Sequence, residues 1–233
     1  MSDSTIHVLS TRPLSPALII DAAVNGLTID VIPFIETAAI DDPVLCERLG
    51  GLGRQRLTAL FTSSNAVEAV AKWVDGSAQW IIYSIGGATS QAVSRHFGED
   101  AIAGTAASAR ELALRIIEER SAEELFFFCG DLRREELPSL LRQAGFGLQE
   151  LVVYETMATP RKVQPSYEGI LFFSPSAVES FFSANTIMAS ITLFAIGRTT
   201  AAAIREFCPN PIVVSGQPDA TILIGQVIDH FKN

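Results

Sequence analysis

The sequence predicts an α/β protein made of two copies of one parallel-sheet unit. The first observation is a repeated motif, because L-F-T-S-S-N-A-V-E at residues 60–68 is echoed 111 positions later by L-F-F-S-P-S-A-V-E at residues 171–179. Ile85-Gly86 and Ile196-Gly197 keep the same offset. A second echo aligns residues 26–37 with residues 145–156, at an offset of 119 positions. Offsets shared by distant stretches indicate a duplication.

The third observation is the alternation of short apolar strands with helices, which predicts parallel sheets covered on both faces. Residues 125–128 are so apolar that their strand should be buried on both faces. Pro33 disfavours a central sheet position, so residues 33–37 are expected at an edge or in a connector. Residues 160–165, with two prolines and two cations, are expected to be a linker. The predicted strands are 5–10, 28–32, 57–61, 80–84, 101–103, 125–128, 148–155, 169–173, 192–196 and 212–214.

The predicted helices begin and end at residues typical of helix termini. Pro13 is expected to preset a first turn, and Asp41-Asp42-Pro43 opens the next helix. Serines at 63 and 108 can cap two more helices. Asn25-Gly26 and Gly145 tolerate the left-handed conformation that ends a helix. The predicted helices cover 13–24, 41–49 (closed by glycines 50, 51 and 53), 66–73, 88–97, 108–120, 131–144, 199–207 and 219–231, with another starting at Pro175.

Composition limits the classes of function. The 233 residues, 48% hydrophobic and 18% charged, are enough for two domains with real cores. A net charge of −9 argues against a nucleic-acid groove or an anionic membrane surface as partner. No apolar run approaches the roughly 18–20 residues that span a bilayer, and Met1–Ser4 lacks a basic signal-peptide region, so a cytoplasmic location is expected. Three cysteines and three histidines show no metal-ligand spacing, so no metal is expected.

Ligands of parallel sheets bind at the carboxyl ends of the strands. The loops predicted there are rich in Ser, Thr and Gly, and most begin helices. Helix N-termini with neighbouring hydroxyls suit carboxylates or phosphates, although plain helix capping needs the same residues. These loops are residues 11–13, 63–65, 86–89, 130–134, 174–176 and 197–200.

Familiar catalytic motifs are missing from the sequence. It contains no Walker A loop, no G-x-G-x-x-G after a strand, no nucleophile elbow and no Ser-His-Asp set. Glu36 and Glu155 are interpreted as solvated strand residues. Tyr154 is ambiguous, because a strand tyrosine is usually a packing residue, whereas a phenol that faces a ligand can donate a hydrogen bond to a leaving oxygen.

Several motifs, in their order and spacing, resemble uroporphyrinogen-III synthases over essentially the whole chain. They are T-R-P at 11–13, the T-S-x-x-A-V and F-S-P-S-A-V loops, V-Y-E-T at 153–156, I-G-R-T-T-A-A-A at 196–203, and Gly130, Arg134 and Leu137. The resemblance implies two flavodoxin-like domains with the site in the cleft between them. It places the first domain at 1–34 plus 160–233, the second at 39–152, and linker strands at 35–38 and 153–159.

The resemblance also implies a reaction. The family closes the linear tetrapyrrole hydroxymethylbilane to uroporphyrinogen III, inverting the last ring and losing water, and it uses no cofactor. Tyr154 matches the tyrosine thought to assist departure of the hydroxyl group. Arg198 departs from the family pattern, since many relatives carry proline there. The expected substrate-binding residues are Thr11, Arg12, Ser63, Ser64, Thr89, Arg134, Ser174, Ser176, Arg198 and Thr199.

Two other functions compete with this interpretation. A hinged two-domain protein could bind or sense a small polycarboxylate anion without chemistry, using the same helix N-termini. A regulatory module is the third possibility, but acids do not cluster at strand ends as in a phospho-receiver site. The ordered motifs and Tyr154 favour the enzyme, a cofactor-independent lyase that is expected to be a monomer.

Overall fold

The computed structural model describes residues 6–120, 122–164 and 166–232. The chain divides into two compact units, unit 1 (Met1–Glu36 and Met157–Asn233) and unit 2 (Thr37–Thr156). Thr5, expected to begin the first strand, Met1–Ser4 and Pro165 of the expected linker lie outside the described residues.

Strands and helices alternate along most of the described chain. The strands are β1 (Ile6–Ser10), β2 (Leu27–Val31), β3 (Ile35–Ala39), β4 (Leu57–Phe61), β5 (Trp80–Ile85), β6 (Ile102–Ala106), β7 (Glu124–Gly130), β8 (Gly147–Ala158), β9 (Gly169–Phe172), β10 (Thr192–Ala195) and β11 (Ile212–Val214). The α-helices are α1 (Pro16–Val24), α2 (Pro43–Gly53), α3 (Ser64–Val70), α4 (Ala88–Phe97), α5 (Ala109–Glu119), α6 (Glu136–Gln143), α7 (Pro175–Phe182), α8 (Arg198–Phe207) and α9 (Ala220–Lys232). A 3-10 turn spans Glu99–Ala101.

The strands form two sheets. The first runs β11-β10-β9-β1-β2, and the second runs β6-β5-β4-β7-β8 with β3 beyond β8 at the edge. The pairs within the first sheet are parallel, as are the pairs from β6 across to β8 in the second. The predicted α/β fold with two parallel sheets is therefore confirmed.

The two sheets have the same spatial order with a different chain order. Strands β4, β5 and β6 occupy the places of β9, β10 and β11, whereas β7 and β8 occupy the places of β1 and β2. In unit 2 the pair β7–β8 comes last along the chain, whereas in unit 1 its counterpart comes first. The units are therefore circular permutations of each other, and this explains why the two sequence echoes have different offsets.

Both faces of the second sheet are buried, as strand β7 shows. Phe126 and Phe128 pack with the side of the sheet that carries α3 and α4, and Phe127 packs on the opposite side with α5 and α6. On the first side, the Phe128 ring stacks on Phe61 and on Trp80, with centroid separations of 5.3 and 5.2 Å. The prediction that this strand is buried on both faces is confirmed.

Several predicted helix ends differ from the observed ones. Helix α1 begins at Pro16, because Ser15 caps it by accepting a hydrogen bond from the Leu18 N–H, so Pro13 lies in the preceding loop. Glycines 50, 51 and 53, expected to end α2, lie inside it. Helix α6 begins at Glu136 rather than at residue 131, since residues 131–135 form a turn and loop. No helix in the described part of the chain is both long and apolar enough to cross a bilayer.

We expect Phe128→Ala to lower the free energy of unfolding of unit 2 by about 3–5 kcal/mol, because the change leaves a cavity between the rings of Phe61 and Trp80. Urea unfolding followed by tryptophan fluorescence measures this unit, since Trp73 and Trp80 both lie in it. Leu114→Ala is the control in the same unit. Its side chain is 48% exposed, so the expected change is below about 0.5 kcal/mol. Equal losses in the two variants would contradict the prediction.

Candidate functional site

Six of the expected binding residues lie at one edge of the first sheet. Strands β10, β9 and β1 are neighbours and parallel, so the loops at their carboxyl ends share an edge. The six residues are Thr11 and Arg12 after β1, Ser174 and Ser176 after β9, and Arg198 and Thr199 after β10.

Thr11 has a structural role at this edge. Its side chain is fully buried, and its Oγ1 donates a hydrogen bond to the Leu171 carbonyl at 2.7 Å. The Thr11 N–H donates to the same carbonyl at 3.1 Å. The hydroxyl therefore joins β1 to β9 and is not exposed to a ligand, unlike the role expected from the T-R-P motif.

The other residues of this edge are more accessible. The Arg12 guanidinium lies 4.2 Å from the centre of the Phe173 ring, and its side chain is exposed. Arg198 and Thr199 are exposed at the start of α8. The N-cap of that helix is Gly197, which provides no capping side chain. The first turn of α8 therefore resembles an anion site more closely than a side-chain-capped terminus does.

The serines after β9 are engaged with each other and with the helix. Ser174 caps α7 by accepting a hydrogen bond from the Ala177 N–H at 3.1 Å. Its Oγ also lies 3.0 Å from the Ser176 Oγ. Helix capping and ligand binding would use the same two hydroxyls. Because Ser174 caps the helix, the Ser176 hydroxyl can turn towards a ligand.

The remaining expected residues lie at the corresponding edge of the second sheet, where β5, β4, β7 and β8 are neighbours. Ser63 and Ser64 follow β4, and Tyr154 lies on β8. Thr89 follows β5, but its side chain is buried within the first turn of α4. Arg134 follows β7 and is exposed.

Tyr154 is fixed at this edge by close packing and a hydrogen bond. It pairs with Gly130 of β7, and a Cβ atom at position 130 would lie 2.4 Å from the Tyr154 Cζ. Only glycine leaves room for the ring. The phenol donates a hydrogen bond to the Ser63 Oγ at 3.2 Å. Burial raises the pKa of Tyr154 above its usual value, because the phenolate would lose its hydration. The phenol therefore stays protonated as a donor.

Asp131 lies in the predicted loop 130–134 but was not among the expected binding residues, and it holds the backbone beside Tyr154. Its N–H donates to the Tyr154 carbonyl at 3.2 Å, and its Oδ1 accepts a hydrogen bond from the Thr156 N–H at 3.0 Å. The neighbouring Arg133 forms ion pairs with Glu135, at 2.5 Å, and with Glu150 of β8. The loop after β7 is thus attached to β8 by two side-chain contacts and one backbone hydrogen bond, which fix the position of Tyr154.

A small pocket of about 140 Å³ opens beside Tyr154. The sequence reasoning also missed this pocket, although residues 65, 68, 69 and 72 have the helical spacing that places side chains on one face. Its lining residues are Thr37, Ala38, Ala39, Asn65, Glu68, Ala69, Lys72 and Tyr154.

Reactive groups of other kinds are not assembled in the described part of the chain. No group of three or more His, Cys, Asp or Glu residues could hold a metal ion there. Burial raises the pKa of the Cys129 thiol to about 11, so this thiol is not poised as a nucleophile. The chemistry of the site therefore depends on hydroxyl, phenol and backbone donors, together with a few cations.

Known proteins resemble this chain over nearly its whole length. A structure of uroporphyrinogen-III synthetase from Helicobacter pylori matches with a TM-score of 0.65 at 15% identity, covering 97% of this chain and 99% of that one. A mutant uroporphyrinogen III synthase from Thermus thermophilus matches with a TM-score of 0.62 at 15% identity, covering 97% and 98%. At these identities the structures establish the fold.

The family follows from the sequence. The profile of the family described as uroporphyrinogen-III synthase HemD (HEM4) matches residues 20–225. Because this match includes most of both units, the chain belongs to the uroporphyrinogen-III synthase family, whose members are enzymes of tetrapyrrole synthesis.

Proposed function

We propose that this chain is a cofactor-independent lyase that converts hydroxymethylbilane into uroporphyrinogen III. The observation that carries the proposal is the protonated phenol of Tyr154. It donates a hydrogen bond to Ser63 at the edge of the second sheet where the strands have their carboxyl ends. We also propose that it acts in the cytoplasm as a monomer, on a diffusible small molecule. Its net charge of −9 is unsuited to nucleic acid or an anionic membrane surface.

Loss of the hydroxyl group is the step that needs Tyr154. As the C–O bond breaks, the leaving oxygen gains negative charge, and the phenol can donate its hydrogen bond to that oxygen. The hydroxyl hydrogen of Tyr154 then turns from the Ser63 Oγ, 3.2 Å from the phenol oxygen, to the substrate, and Ser63 can donate to the phenol oxygen in return. The hydroxyl departs as water with the proton that the Tyr154 phenol donates, and the pyrrole nitrogen supplies the electron pair that stabilises the carbocation left behind. The proton released when the ring closes and the pyrrole regains its aromaticity returns to the Tyr154 oxygen.

Choice of the product isomer is a positioning task. The free end of the chain can attack the carbocation directly, which gives the symmetrical isomer without help. The III isomer requires attack from the substituted position of that terminal ring. A protein that holds the ring inverted while the carbocation exists gains a large effective molarity for this attack. Hydroxyls and cations follow strands of each sheet, and such groups suit the carboxylate arms of this substrate.

We expect Tyr154→Phe to lower kcat by a factor on the order of 10²–10³, as for loss of a donor to developing charge. KM should change by less than about threefold, because the contact strengthens only as the bond breaks. Steady-state rates of uroporphyrinogen formation measure both constants. Tyr167→Phe is the control, since that phenol donates to Asp30, and it should retain the wild-type kcat. An unchanged kcat in Tyr154→Phe would make this residue a packing residue.

The pH dependence of kcat should show no deprotonation of Tyr154 in the neutral range. Burial raises the pKa of this phenol, so the donating form persists above the usual tyrosine value of about 10. We therefore expect no tyrosine-dependent fall in kcat between about pH 6.5 and pH 9.5, once uncatalysed closure is subtracted. A falling limb with a midpoint below about pH 9, absent in Tyr154→Phe, would contradict the assignment.

The product should be mainly the III isomer, with selectivity dependent on both sheet edges. Replacing Ser63 and Thr199 together, by Ala and Val, should raise the fraction of I isomer several-fold, because fewer contacts then hold the terminal ring inverted. Chromatography of the oxidised porphyrins separates the isomers. Ser183→Ala is the control, since this residue caps the end of α7 and its hydroxyl donates to the Ser180 carbonyl. If the wild type gave only the I isomer at the uncatalysed rate, the proposed function would be refuted.

A further inference from the structure

The pocket beside Tyr154 is lined by a lysine and an asparagine whose side chains have no polar partner among the described residues. The side chains of Lys72 and Asn65 form no hydrogen bond or ion pair with any other described residue. Both line the same pocket as the Tyr154 ring. The Lys72 ammonium provides a positive charge and N–H donors, and the Asn65 carboxamide provides further N–H donors. Carboxylates are recognised by such a combination of groups.

The one carboxylate of the pocket is already neutralised. Glu68 pairs with Arg95 through one oxygen at 3.0 Å and contacts the His96 ring through the other at 2.8 Å. The local group of Glu68, Arg95 and Lys72 therefore has one more cation than anions. An anionic ligand is favoured here even though the whole protein has a net charge of −9.

The size of the pocket limits what can enter it. Its volume of about 140 Å³ is smaller than the roughly 300–1,000 Å³ of sites that enclose a whole small molecule. It equals about four or five water volumes of ~30 Å³ each, which is the size of a carboxymethyl or carboxyethyl group. One carboxylate arm fits, whereas a pyrrole ring with its substituents does not.

We propose that Lys72 and Asn65 form a subsite that binds one carboxylate arm of the substrate ring whose hydroxyl departs beside Tyr154. The identity of that ring rests on the proposed function. An arm in this subsite fixes its ring against the phenol, so Lys72 and Asn65 act as positioning residues for the leaving oxygen.

Lys72→Met tests the subsite, because it removes the charge and keeps most of the length of the side chain. We expect KM for hydroxymethylbilane to rise about 5- to 20-fold, as for loss of a charged contact in a partly enclosed site. The change in kcat should be smaller than about threefold. Lys72→Arg should restore KM to within about threefold of the wild type, and Asn65→Ala should raise it about 3- to 10-fold. Wild-type KM should also increase with salt more steeply than that of Lys72→Met.

Lys232→Met is the matched control. It makes the same change at an exposed lysine that donates to Asn25, the residue that ends α1. Its KM should equal that of the wild type. Lys72→Met with an unchanged KM, or Lys72→Arg with the same defect as Lys72→Met, would overturn the subsite.

A binding measurement separates failure of the subsite from failure of the proposed function. Uroporphyrin III, a stable molecule with the same carboxylate arms, is titrated into each variant and followed by quenching of tryptophan fluorescence. Trp73, next to Lys72 and 43% exposed, is a natural reporter. A Kd raised about 5- to 20-fold in Lys72→Met supports the subsite even if the wild type makes no III isomer. An equal Kd in the two proteins overturns it, whatever the wild type produces.

Discussion

The packing of Tyr154 against Gly130 is the contact on which the candidate site of the second unit depends. A side chain at position 130 would overlap the tyrosine ring, so the glycine allows the ring to lie across the end of β7 and to reach the Ser63 Oγ. The Asp131 carboxylate then accepts a hydrogen bond from the Thr156 N–H, which holds the loop after β7 against β8. Parallel pairing brings the ends of β4, β7 and β8 to one edge, and without that pairing these residues, far apart in sequence, would not meet.

The duplication explains why both sheets have ligand loops at corresponding edges. Neighbouring strands are chosen by burial and by parallel pairing, whereas the chain order affects only the connections between them. The pair β7–β8 can therefore follow β6 in one unit, while β1–β2 precedes β9 in the other, without any change in the sheet. Loops after equivalent strands keep equivalent places, so Ser63 in unit 2 corresponds to Ser174 in unit 1, 111 positions later.

Much of the fold could be predicted because its signals are local. The strands at Leu57–Phe61 and Ile212–Val214 have the predicted bounds, since each is a short apolar run between turn residues. The start of α1 was predicted wrongly, because two prolines compete within four positions and the Ser15 cap decides between them. Helix propensity alone does not tell which of Pro13 and Pro16 begins the helix. The Ser15 side-chain hydrogen bond to the Leu18 N–H makes the difference.

The site was harder to predict because its contacts are long-range. Family motifs identify Thr11 as a binding residue, but its hydroxyl donates a hydrogen bond to the Leu171 carbonyl. Only the pairing of β1 with β9 brings that carbonyl near. In the same way, Thr89 has the right residue type in the right loop, and only the packing of α4 shows that its side chain is buried. Lys72 belongs to no motif, and only the packed structure shows that it lines the pocket beside Tyr154.

Charge raises a last question, because the proposed substrate is a polyanion and the protein is acidic. At physiological salt, exposed charges more than about 8 Å apart are largely screened, so the net charge of −9 acts mainly on approach. Under the proposed function, binding depends on what each carboxylate meets at short range, and the candidate partners are hydroxyls, helix N-termini and single cations. Each such contact contributes little when exposed. Many weak contacts of this kind can nevertheless specify the shape of a flexible chain, because each one restricts the position of a different carboxylate arm.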